Sequence, residues 1–204
     1  MPLFARFKLN NIESIFNDFP ELETEGFKLR KLKKDDAKDI WDIYQNKDIA
    51  TYDRAPFIRD EESAKDFIEE LSELYEERIR IDWAIEDKRI SKVIGLIVLF
   101  NISLVDSRAE VGYVLNRDFT NRGIMKYILS WLVDFSFNYA GIHKLEANIN
   151  TGNISSIKVC ESAGFEKEGT RKAHCFNKRT GIYMDNYVYG LINNRWDIII
   201  ERFE

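Results

Sequence analysis

Two stretches place suitable residue types at spacings that suit chemistry. The first runs Glu110-Val111-Gly112-Tyr113-Val114-Leu115, then a polar loop Asn116 to Asn121, then Arg122-Gly123-Ile124-Met125-Lys126. A basic residue and a glycine thus stand where an amphipathic run, Ile124 to Tyr139, takes up helical spacing. The first amides of a helix have no partner inside it, and its dipole is positive at that end. Arg122-Gly123 at a helix start is therefore a phosphate cradle, and the glycine lets the backbone come close to an anion. The second stretch is Asn153-Ile154-Ser155-Ser156, with a capping residue where a helix begins and a hydroxyl one turn in. Glu110 adds a carboxylate in the middle of a mostly apolar strand.

Other chemistries have little material. Only two histidines are present, His143 and His174, and the two cysteines, Cys160 and Cys175, lack metal-ligand spacing. No metal site is expected. There is no G-x-x-x-x-G-K-[ST], and no G-x-G-x-x-G follows a strand, which speaks against an ATP or NAD enzyme. Lys and Arg are scattered among acids, with a net charge of −5, so no basic nucleic-acid face is expected. No run of 18 apolar residues exists, and Met1 to Pro20 carries charges where a leader would be apolar. A cytoplasmic protein with no membrane partner is the expectation.

The elements that position these residues follow from periodicity. The strand Ala109 to Leu115 puts Ala109, Val111, Tyr113 and Leu115 on one face and Glu110, Gly112 and Val114 on the other. Upstream, Phe27 to Leu32 reads as a strand, and Lys33-Lys34-Asp35-Asp36 as a turn. A helix follows with Ile40, Trp41, Ile43 and Tyr44 on its apolar face. Ala50 to Arg59 reads as a loop around Pro56, and Glu61 to Glu77 as a helix with the stripe Phe67, Ile68, Leu71 and Leu74. Ile79 to Ile85 alternates as a strand, and Val93 to Phe100 is apolar on both faces, as in a central strand broken by Gly95. Lys144 to Ile149 is a strand, and Asn153 to Ala163 a short helix stopped by Gly164. Phe165 to Lys172 and Tyr183 to Leu191 are two more strands. The order β-α-α-β-β-β-α-β-α-β-β predicts an α/β (α+β) domain with a mixed sheet covered by helices. Residues 1–23 read as an N-terminal extension that includes a short outer helix, 24–193 as the domain and 194–204 as a tail.

Glu-Val-Gly-Tyr, Arg-Gly-Ile-Met, Asn-x-x-Ser and Ala163-Gly164-Phe165-Glu166 occur here in order. With Thr24 to Leu32 and Asp35-Asp36-Ala37, this combination resembles the GNAT N-acetyltransferase superfamily, and within it the ribosomal-protein (RimJ/RimL-like) branch. The resemblance covers about Thr24 to Ile192. It implies a mostly antiparallel central sheet in which Ala109–Leu115 splays from Lys144–Ile149, the family's fourth and fifth strands, to form the cofactor cleft.

The family signature Gln/Arg-x-x-Gly-x-Gly/Ala falls on Thr120-Asn121-Arg122-Gly123-Ile124-Met125, where Thr120 and Met125 depart from it. The resemblance implies that the amides of Arg122, Gly123, Ile124, Met125 and Lys126 hold the phosphates of acetyl-CoA. Val114, Leu115 and Asn116 would lie beside the pantetheine arm, with an amide near Leu115 facing the oxyanion, and Asn153 would touch the cofactor. Glu110 would be the general base, and Ser156 would protonate the departing thiolate, with Tyr187 or Tyr183 as substitutes.

The implied function is direct acetyl transfer to a primary amine, either the N-terminal α-amine of a ribosomal or other protein or a small amine such as a polyamine or antibiotic. The implied assembly is a monomer or homodimer. A competing expectation, raised by the departures at Thr120 and Met125, is a non-catalytic acyl-CoA-binding module. More local readings also stand. Gly123 can simply open a turn, Asn153 can be a plain cap, Ser156 a helix-surface serine, Glu110 a solvated strand residue, Trp83 a sheet residue and Cys160 a small buried hydrophobe.

Overall fold

The computed structural model describes residues 12–45, 58–177 and 181–194. Most of the expected loop Ala50 to Arg59 and nearly all of the expected tail lie outside them. Eight strands among the described residues form one sheet in the order β1-β2-β3-β4-β5-β6-β8-β7. They are β1 (Leu22–Glu23), β2 (Phe27–Arg30), β3 (Ile81–Asp87), β4 (Lys92–Ser103), β5 (Arg108–Leu115), β6 (Lys144–Asn150), β7 (Glu166–Asn177) and β8 (Ile182–Ile192). All neighbours are antiparallel except β5 and β6. That parallel pair needs a crossover, which α3 (Ile124–Asn138) supplies. The other helices are α1 (Ala37–Tyr44), α2 (Glu61–Glu76) and α4 (Ile154–Ser162).

Strand alternation divides the core in two. On one face Trp83, Ile85, Ile97, Leu99, Ala109, Val111, Leu145 and Ala147 pack with Ile128, Leu132 and Phe135 of α3 and Cys160 of α4. On the other, Ala84, Leu96 and Val114 pack with Ile40 and Ile43 of α1 and Phe67, Ile68 and Leu71 of α2. The stripe on α2 is therefore core, Trp83 is fully buried in the sheet, and Cys160 is a buried free thiol. Removing these side chains from water is the main favourable term in folding.

Several boundaries differ from the sequence reading. Strand β3 begins at Ile81, and Ile79 is exposed, because Arg78 takes a left-handed φ of 60° as the chain leaves α2. Strands β7 and β8 run longer than their apolar cores, since backbone pairing carries them out to a hairpin end. The segment before Thr24 contributes inside the molecule. Ile12 and Ile15, on a short 3-10 helix, are buried in the first core, the Tyr75 hydroxyl donates to the Ile15 carbonyl, and Leu22–Glu23 extends the sheet.

Candidate active site

Strands β5 and β6 pair only at Arg108↔Lys144, Ala109↔Leu145 and Glu110↔Glu146. Beyond Glu110 they separate, while β5 stays paired with β4 as far as Leu115. The gap between the two arms is the expected splay, and its vertex is at Glu110.

The ladder fixes which backbone groups face that gap. The Asn116 amide donates to the Ile94 carbonyl across 2.8 Å. Antiparallel pairing alternates, so Asn116 and Val114 turn their amides to β4, and Leu115 and Tyr113 turn theirs toward the gap. Of the three residues expected beside a pantetheine arm, only Leu115 therefore opens its main chain to it. The Val114 side chain is buried in the second core, and the Asn116 Oδ1 accepts from the Asp118 amide.

The helix start lies where the signature places it. Gly123 has φ 76°, a left-handed conformation that side-chain-bearing residues rarely adopt, and it caps α3. The first helical bond runs from the Tyr127 amide to the Gly123 carbonyl. The amides of Ile124, Met125 and Lys126 precede it and point out of the helix end. Ile124 and Met125 bury their side chains in the core, so they can serve an anion through the backbone alone. Lys126 and Arg122 are exposed, and the Arg122 guanidinium lies over the Phe119 ring at 5.4 Å. Thr120 and Met125 leave this geometry intact, and the donor set fits a pyrophosphate.

Glu110 and Ser156 lie on opposite faces of the gap. Glu110 is on the α1/α2 face, half-buried, and its Oε2 accepts from Asn101 Nδ2 at 2.9 Å. It stands in register with Glu146, a like charge. Lys144 and Arg108 neutralise Glu146, at 3.2 and 3.5 Å. No cation among the described residues pairs with Glu110. Asn101 reaches it because β4 is bulged between Phe100 and Ser103, and Asn101 takes φ 49°.

Ser156 sits on the α3/α4 side, in the first turn of α4. The Asn153 side chain caps that helix and accepts from the Ser156 amide at 3.1 Å. The Ser156 hydroxyl donates to the Tyr113 hydroxyl at 3.0 Å, and Tyr113 donates back to the Ser156 carbonyl at 2.9 Å. Burial pushes the Tyr113 phenol pKa up, against the opposing effect of its bond with Ser156.

Of the tyrosines named as substitutes, Tyr183 is exposed and rests on Phe176, and Tyr187 lies under the Lys167 ammonium. Tyr113 and Asn101 are the site residues that periodicity missed. Tyr113 passes for another core-facing strand residue. The only trace of Asn101 is a poor strand former at the end of an apolar run.

Among the described residues no helix is long and apolar enough to cross a membrane, and no three His, Cys, Asp or Glu side chains are placed to hold a metal ion.

Comparison with known proteins follows the same outline. The family profile described as acetyltransferase (GNAT) domain matches residues 27–166. The Bacillus subtilis protein called uncharacterized N-acetyltransferase YoaA is 28% identical over 177 residues, which cover 87% of this chain and 99% of that one. The spermidine N(1)-acetyltransferase of Vibrio cholerae is 26% identical over 145 residues, 69% of this chain and 79% of that one. The crystal structure of ribosomal-protein-S5-alanine acetyltransferase from Vibrio fischeri superposes with a TM-score of 0.75 at 26% identity, covering 87% of this chain and 98% of that one.

Proposed function

The chain belongs to the GNAT acetyltransferase family and is an N-acetyltransferase, and from that premise we propose that it moves the acetyl group of acetyl-CoA directly onto the N-terminal α-amine of a protein. The observation that carries the reading is the placement of Glu110 and the Ser156–Tyr113 pair on opposite sides of one open strand edge. A thioester laid along that edge meets a carboxylate on one side and a hydroxyl on the other.

In this reading the amides of Ile124 to Lys126 hold the pyrophosphate, and Asn153 helps to line the arm of the gap. Glu110 takes the proton from the acceptor ammonium, and the neutral amine attacks the thioester carbonyl. The Leu115 amide faces the oxyanion of the tetrahedral intermediate. When that intermediate collapses, the C–S bond breaks, its electron pair stays on sulfur, and Ser156 supplies the proton. No step calls for a metal.

A protein α-amine is favoured as acceptor by the similarity to the ribosomal-protein-S5-alanine enzyme over most of both chains. The similarity to the spermidine enzyme favours a polyamine as the second reading.

The test is acetyl-CoA binding by calorimetry, followed by thiol release with N-terminal peptides and with spermidine. Acetyl-CoA at 100 times its dissociation constant should stabilise the fold by about 2.7 kcal/mol. Turnover on peptides supports the first acceptor, and turnover on spermidine alone replaces it with the second. Binding without turnover on any amine would leave an acyl-CoA-binding module.

A further inference from the structure

Serine is a weak acid. A lone aliphatic hydroxyl that gives its proton to a thiolate is left as an alkoxide, a poor exchange unless a better acid stands behind it. In this protein a phenol stands there. The Tyr113 oxygen is 3.0 Å from Ser156 Oγ and accepts a hydrogen bond from it. The Tyr113 proton points at the Ser156 carbonyl, 2.9 Å away. Carbonyl and hydroxyl belong to one residue, so once the Ser156 hydroxyl turns its proton toward the sulfur, the phenolic proton can swing from the carbonyl to Oγ by rotating about a single C–O bond. The ring need not move, and it is held by packing against the first core. Ser156 is held as well, because its amide is tied to Asn153. Tyr113 lies three residues beyond Glu110, the last β5 residue paired with β6, so the hydroxyl pair links β5 to α4 where the two strands have separated.

We propose that Tyr113 is the positioning residue for the leaving-group proton and acts through Ser156, an inference that rests on Ser156 being the donor. As the C–S bond breaks and its electron pair settles on sulfur, Ser156 Oγ gives its proton to that sulfur. The Tyr113 proton moves to Ser156 Oγ in the same event, so the serine is a hydroxyl before and after. The phenolate left behind takes a proton from water as products leave. Burial opposes the charge of that phenolate, so the phenol is the resting form and the phenolate lasts only until water returns the proton.

The experiment measures single-turnover acetyl transfer for wild type, Tyr113→Phe, Ser156→Ala and the double variant, with acetyl-CoA affinity and thermal unfolding measured beside it. The phenylalanine keeps the ring and removes only the oxygen. The expected result is a rate loss of about 100-fold for Ser156→Ala and about tenfold for Tyr113→Phe, with acetyl-CoA affinity held. The double variant should be no slower than Ser156→Ala, since residues that act as a unit are non-additive. A wild-type rate for Tyr113→Phe, with only affinity or melting temperature reduced, would make Tyr113 a strut and overturn the inference. Additive losses would overturn it too. A wild-type rate for Ser156→Ala would remove Ser156 as donor and so defeat the parent reading, which is a distinguishable result. If Tyr113→Phe does not fold, the wild-type rate in H2O–D2O mixtures decides. Two protons in flight give a curved dependence on deuterium content, and a straight line refutes the relay.

Discussion

Asn101 Nδ2 donates to Glu110 Oε2 across 2.9 Å, and it does so from a left-handed backbone position inside a bulge of β4. Bulges re-aim side chains beside functional sites. Asparagine tolerates the left-handed region better than most residues. The bond fixes one oxygen of the carboxylate and leaves the other free to accept a proton. Asn101→Ala should lower the transfer rate about fivefold, as expected for the loss of one hydrogen bond worth about 1 kcal/mol. Affinity for acetyl-CoA should stay the same. Asn101→Gly keeps the backbone geometry and loses the amide, so it should match the alanine variant in rate while melting higher. If glycine restored the rate, the bulge rather than the hydrogen bond would be responsible.

A second relationship secures the frame of the α1/α2 face. The guanidinium of Arg30 grips Asp36 with two bonds of 2.8 Å, and its Nε donates to Glu86. Arg30 and Asp36 are both buried. The group ties β2, the turn before α1 and β3 together, and Asp36 also accepts from the Lys33 amide at 2.7 Å. Its acidic partners raise the pKa of Arg30 against the pull of desolvation, the bonds it donates to Asp36 contributing most, so the guanidinium stays charged. Arg30→Met would leave a buried carboxylate without its cation, at a cost of about 3–5 kcal/mol. Chemical denaturation should show that loss in the midpoint. A loss below about 1 kcal/mol would mean that water replaces the guanidinium. Arg30→Lys keeps the charge but not the fork, so it should fall between the two.

These pairs mark the limit of what the chain reveals by itself. The alternation of Ala109 to Leu115, the glycine at the start of α3 and the Asn-x-x-Ser cap are local, and local periodicity and capping chemistry report them directly. The splay of β5 from β6 and the bulge at Asn101 depend on long-range pairing, which no window of residues contains. Tyr113 shows the consequence. Its position in the alternation is legible, but its bond to Ser156 spans 43 residues of chain. The strand at Leu22–Glu23 is not legible in the sequence for a related reason. A two-residue strand has no period, and its partner β2 defines it.

The β7–β8 hairpin offers a pH test. Asp185 accepts from the Lys172 ammonium at 2.6 Å and from the Ala173 amide at 2.8 Å, at a bulge where Ala173 takes φ 47°. The bond from Lys172, then that from the Ala173 amide, lower the Asp185 pKa below its ordinary 3.8. A depressed carboxylate pKa means that the folded hairpin binds protons less readily than the unfolded chain. Its contribution is complete above pH 3.8 and is lost as pH falls through the folded value. Amide exchange in β7 should therefore gain protection as pH rises toward 3.8 and level off above it, after correction for intrinsic rates. Asp185→Asn should abolish that gain. An unchanged profile in the variant would assign the pH response to other carboxylates.

Gly95 tests whether the open edge of β5 is what binds the cofactor. A Cβ there would lie 2.5 Å from the Val114 carbonyl oxygen and 3.2 Å from the Leu115 Cα, both backbone atoms that cannot rotate away. Gly95→Ala must push β5 outward at the residue whose amide faces the gap. Overpacking of this kind costs about 1–3 kcal/mol. Displacing Leu115 should also weaken acetyl-CoA binding and slow transfer, each by about tenfold if a bond or two is lost. Two controls separate strand displacement from a general fault. Gly112→Ala meets only side chains, Val98 at 3.1 Å and Phe100 at 3.3 Å, which can yield, so cofactor affinity should hold. Gly26→Ala meets nothing within 4 Å and should behave as wild type. If Gly95→Ala lost stability yet bound acetyl-CoA normally, the Leu115 edge would not be the cofactor's seat. The phosphate cradle at Gly123 would then carry the affinity alone, and Gly123→Ala, forced into a conformation that suits glycine, would be the variant that loses binding.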